Sequence, residues 1–99
     1  MKVKDFEEKI LAIENIRLII RANRNDEVGF IDWDEPSDGE LRKNDWLARR
    51  IEPLVRGLEV SVIDGTGNIV HGSTRLRTLR QSYRDRWTLS LVAKESAYA

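Results

Sequence analysis

There is no cysteine among the 99 residues. That absence removes thiol catalysis, disulfide framing and thiolate metal ligands, and it fits a reducing compartment. His71 is the single histidine, so one chain cannot assemble a histidine metal cluster or a histidine dyad. No apolar run approaches the roughly 20 residues that span a bilayer, and Met1 to Glu8 lacks the apolar stretch of a secretory signal. The expected setting is cytoplasmic, with no membrane partner. A charge of one sign is also missing: 17 basic and 17 acidic side chains give a formal net charge of zero, so no global field recruits nucleic acid. Only two prolines, Pro36 and Pro53, interrupt the chain.

What is present suits one small folded unit. With 40% hydrophobic and 34% charged residues, the chain has apolar material for a single core. At this length folding buries roughly two thirds of the surface the unfolded chain exposes. We read residues 1–99 as one α+β domain.

Phe6, Ile10 and Ile13 recur at helical spacing behind Asp5, predicting a helix over 4–14. The β-branched run Ile16 to Ala22 and the segment Val28 to Trp33 flank a turn-forming Asn23-Arg24-Asn25-Asp26, which predicts a hairpin. After the loop Asp34 to Gly39, Trp46, Leu47, Arg50, Ile51, Leu54 and Val55 mark an amphipathic helix, started by Asn44 or Asp45, kinked or ended at Pro53 and stopped at Gly57. Leu58 to Asp64 alternates as a strand, Gly65-Thr66-Gly67-Asn68 turns, and Ile69 to His71 returns. Leu76, Leu79 and Tyr83 predict a helix over 74–84 with Ser73 as its cap, and Trp87 to Val92 alternates as a last strand. The expected order is α-β-β-α-β-β-α-β, with helices packed on one mixed or antiparallel sheet.

Charge is unevenly distributed. Every charged residue from Asp26 to Glu40 is acidic, whereas Arg75, Arg77, Arg80, Arg84 and Arg86 face only Asp85 in their own stretch. The simplest account is a pair of solvated faces that partly compensate each other. The acidic stretch does not have the ligand spacing of a calcium loop, and Gly65-Thr66-Gly67 lacks the rest of a dinucleotide or P-loop fingerprint. No metal or cofactor is expected.

The junction Gly72-Ser73-Thr74-Arg75 combines small residues, hydroxyl donors, an arginine and the start of a helix. Those are the parts of an anion site, with free backbone N–H groups and a guanidinium able to grip a phosphate bidentately. Strand, turn, strand and then Gly-x-x-Arg opening a helix resembles the ParB/sulfiredoxin-like superfamily, over about Asn44 to Val92. The resemblance implies a nucleotide or phosphate grip at Gly72, Ser73, Thr74 and Arg75. It does not extend to sulfiredoxin activity, which needs a cysteine within that motif.

Three functions follow as expectations. The first is a non-catalytic binding domain for a nucleotide or nucleic-acid phosphate at Gly72 to Arg75, supported by Arg77 and Arg80. The alternative is an inhibitor or adaptor, of the kind mobile elements carry, that presents Asp32, Trp33, Asp34, Glu35 and Asp38 to a larger basic protein as a nucleic-acid-like surface. An enzyme, a nucleotide hydrolase or nuclease, comes third because no general base accompanies the phosphate grip. A homodimer is compatible with all three.

Overall fold

The computed structural model describes residues 1–85, and the predicted strand Trp87 to Val92 lies outside them. The inward stripe Val3, Phe6, Ile10 and Glu14 folds as helix α1, Val3–Glu14. Asp5 is not its cap. The chain instead brings the turn at 24–26 back to the helix start, where the amides of Val3 and Lys4 donate to the carbonyls of Asp26 and Arg24 at 2.9 and 3.2 Å. Asn15 ends the helix in the left-handed conformation (φ 58°), its amide donating to the Leu11 carbonyl.

Strand β1, Arg17–Ile20, pairs antiparallel with β2, Val60–Ile63, in the register Leu18 opposite Val62 and Ile20 opposite Val60. Those four side chains point inward, leaving Arg17 and Ile19 exposed. The first predicted hairpin therefore does not form, because β1 finds its partner far along the chain. Val28 to Trp33 is not a strand; the Val28 amide donates to the Met1 carbonyl and the Gly29 amide to the Leu54 carbonyl, both at 2.8 Å. A Cβ on Gly29 would lie 2.7 Å from Leu54, so this segment lies too close to the second helix to carry a side chain there.

That helix, α2, starts as Lys43–Trp46, passes through a π turn over Leu47–Ile51 and finishes as Glu52–Val55. Pro53 has no N–H and would crowd the carbonyl four residues earlier, and the wider turn just before it absorbs that conflict without ending the helix. Arg56 (φ 46°) and Gly57 (φ 82°) then turn the chain into β2. The predicted second hairpin is reduced to one bridge, Ile63 to Ile69, closed by the Val70 amide on the Val62 carbonyl at 2.9 Å. Asp64 organises its turn by accepting from the amides of Thr66 and Asn68.

The last described element, α3, is helical over 76–85. Leu76 and Leu79 join Phe6, Ile10, Ile16, Trp46, Ile51 and Val62 in one buried cluster. The outcome is a small α+β fold with three helices and a two-stranded antiparallel sheet among the described residues, in the order α-β-α-β-α. None of the described helices is long and apolar enough to cross a membrane.

Candidate functional site

Glu14 continues the apolar stripe of α1 and is completely buried. A carboxylate there is expensive unless several donors converge on it, and the fold supplies them from three directions. From the loop before α2, the Ser37 amide and hydroxyl donate to Glu14 at 2.6 and 3.1 Å. From α2, the Trp46 indole N–H donates at 3.0 Å and the Arg50 guanidinium at 2.7 Å. From α3, Arg80 pairs with the same carboxylate at 3.2 Å and donates through Nε to the Glu14 carbonyl at 2.8 Å. Burial pushes the Glu14 carboxyl upward, but the Ser37 amide, Trp46 and Arg50 overcome it and hold the group below the ordinary carboxylate range.

The two arginines also hold the acidic loop. Arg50 donates to the Glu35 carbonyl at 2.8 Å and Arg80 to the Ser37 carbonyl at 2.9 Å. With its carbonyls turned inward, the loop points Asp32, Asp34, Glu35 and Asp38 outward, where all four are exposed. None of the four forms an ion pair among the described residues. Trp33 is half-buried beneath Arg50, whose guanidinium lies 4.9 Å from the ring centroid. Its indole N–H has no acceptor among the described residues. Phe30, 67% exposed, flanks the same stretch beneath the Lys9 ammonium.

The residues read as a phosphate grip are arranged differently from a grip. Gly72, Ser73 and Thr74 do not open α3; their turn caps α2, with the Lys43 amide donating to the Thr74 carbonyl and the Asn44 amide to the Gly72 carbonyl at 2.8 and 3.1 Å. Ser73 does not cap a helix, because its hydroxyl and amide both lie on His71 Nδ1 at 2.8 and 3.2 Å. The first amides of α3, Leu76 and Arg77, donate to the Leu41 and Gly39 carbonyls at 2.9 Å each. Arg75 and Arg77 both pair with Glu40, and Arg80 is turned into the core. The structure thus gathers Gly72, Ser73 and Thr74, sets Arg75 and Arg77 on Glu40, and separates Arg80 from both groups. An open groove of about 420 Å³ remains beside the turn, lined by Arg42, Asn44, Asp45, His71, Gly72 and Ser73.

No family model matches the chain, and no curated protein or solved structure matches it. The functional reading rests on the site alone. Among the described residues, no group of three or more carboxylate or histidine side chains stands close enough to hold a metal.

The sequence reading missed Glu14, Ser37, Trp46 and Arg50 as partners. The signal for Glu14 was available: it falls on the stripe Val3, Phe6, Ile10, where an acidic side chain demands donors. Arg50, beside Ile51, and Arg80, beside Leu79, are the long cationic side chains on inward helix faces able to answer it.

Proposed function

We propose that the chain is a non-catalytic binding module that presents the loop Asp32 to Asp38 to a basic surface of a larger protein, in a cytoplasmic setting. One observation carries this reading: the loop backbone is anchored by two arginines while its four carboxylates stand exposed and unpaired among the described residues. A pre-ordered acidic surface loses little conformational entropy on binding and steers a cationic partner. Half-buried Trp33 and exposed Phe30 add apolar contact beside the charges.

The test is affinity capture with the wild-type chain and with a Asp32→Asn, Asp34→Asn, Glu35→Gln triple variant, at low and high salt. The expected result is a specific basic partner that the variant does not retain and that salt weakens. Equal retention by the two chains would sink the reading.

The groove beside Gly72 favours a second reading, a nucleotide or nucleic-acid phosphate held by Arg42 and Ser73, which line it. It predicts a rise in melting temperature with a nucleotide that Arg42→Ala abolishes. A flat thermal-shift screen across nucleotides and short DNA and RNA would eliminate it.

A further inference from the structure

The acidic loop is fastened to α3 along its length, beyond the single bond from Arg80. In chain order, the Ser37 carbonyl accepts from Arg80, the Gly39 carbonyl from the Arg77 amide, Glu40 from the guanidinium groups of Arg75 and Arg77, and the Leu41 carbonyl from the Leu76 amide. Residues 37–41 and 75–80 therefore close as a zipper with antiparallel sense, continued by the bridge between Arg42 and Arg75. A Cβ on Gly39 would stand 3.0 Å from that of Arg77, so the two backbones run in close contact.

The other half of α3 is attached elsewhere. The Tyr83 hydroxyl inserts into the end of the β1–β2 ladder, accepting from the Arg17 amide at 3.0 Å and donating to the Ile63 carbonyl. The Ser82 hydroxyl accepts from the Gly65 amide at 2.9 Å. Leu76 and Leu79 are the fully buried apolar side chains that described α3 adds, so polar contacts at both ends of its described span are a large part of its attachment.

We infer that α3 is a latch on the acidic loop: it undocks as a unit, and the loop holds its presenting conformation only while α3 is seated. The inference concerns regulation of the acidic-loop surface and rests on that reading for its meaning. A partner shifts the population of the binding-competent loop only if it binds the seated and undocked states of α3 unequally.

Amide hydrogen exchange on the free 99-residue chain tests this without any partner, so it can fail independently of the binding reading. Tyr83→Phe keeps the ring and removes a hydroxyl that touches β1 and β2 and makes no hydrogen bond to the loop. The latch requires that this remote change accelerate the Leu79 and Ser37 amides by the same factor, about 30-fold for the two hydrogen bonds lost. Ile10 in α1 should keep its rate. Acceleration of Leu79 with Ser37 unchanged would overturn the latch, as would equal acceleration of Ile10. Wild-type exchange at rising denaturant supplies the second measurement. Ser37 and Leu79 should share one opening below the global transition, and separate openings would overturn the proposal even if the variant does not fold.

Discussion

At the residue scale, one buried carboxylate organises more of this molecule than any other side chain. Removing its charge leaves Arg50 and Arg80 facing a neutral amide in a partly dehydrated site. Glu14→Gln is expected to cost about 3 kcal/mol, in the range for breaking a buried pair from one side. In a chain this small that corresponds to a fall in melting temperature of roughly 15 °C, which calorimetry would register. The pH dependence has a definite sign. Glu14 titrates lower when folded than when unfolded, so its contribution is complete above the ordinary glutamate value of about 4.3 and is lost as pH falls through the depressed folded value. Melting curves below about pH 4 should therefore steepen their decline in the wild type and lose part of that dependence in Glu14→Gln. Glycines supply a second contrast. A Cβ at Gly65 would lie 2.1 Å from the Ser82 backbone carbonyl oxygen, whereas one at Gly72 meets only the end of the Asn44 side chain. Gly65→Ala should destabilise by about 2 kcal/mol, as overpacking against fixed backbone does. Gly72→Ala should cost clearly less, and urea midpoints would rank the two.

At the scale of elements, the helices were legible and the groups that cap their starts were not. Phe6 and Ile10, Trp46, Leu47, Ile51 and Val55, and Leu76 and Leu79 are buried on the helices that their spacing predicts. Local caps were misread because all three starts donate to carbonyls of other segments: 24–26 for α1, 72–74 for α2 and 39–41 for α3. Nothing local in the sequence announces a cap supplied from 20 or more residues away. The same distance hid the sheet, since β1 looked as though it should pair with the next apolar run and instead pairs with Val60–Ile63. Ser73→Ala distinguishes the two kinds of cap. A true N-cap serine replaced by alanine costs typically about 1 kcal/mol, but Ser73 hydrogen-bonds only to His71 among the described residues. We expect a loss below about 0.5 kcal/mol, as for a surface substitution, measured by chemical denaturation.

At the scale of the molecule, the zero net charge conceals an arrangement that the sequence indicated only in outline. The arginine-rich stretch meets the acidic stretch through Glu40 and is matched again by the buried Glu14 of α1, leaving Asp32, Asp34, Glu35 and Asp38 unmatched among the described residues. Function was correspondingly less legible than fold. The residues singled out for phosphate are distributed among a turn, a surface ion pair and the core, and only Gly72, Ser73 and Thr74 stay together. The acidic residues singled out as the alternative lie on one continuous loop. Binding to a basic partner is expected to weaken by about an order of magnitude between low and physiological ionic strength, which isothermal titration at two salt concentrations would read.

The reciprocal capping of α2 and α3 also constrains how the chain can be made. The segment before each helix supplies the carbonyls that receive the other helix's first amides, so each start is completed by residues far from it in the chain. On the ribosome, residues 43–55 emerge well before residues 72–74 that cap them, and α2 must wait in an incomplete state until that turn follows. A chain ended before Gly72 is expected to lose α2 as well as the missing helix, with circular dichroism showing a helix deficit larger than the deleted residues account for. Synthesis should thus deliver a stable α2 only after the turn at 72–74 has followed it, while α3 can still open locally with that turn in place.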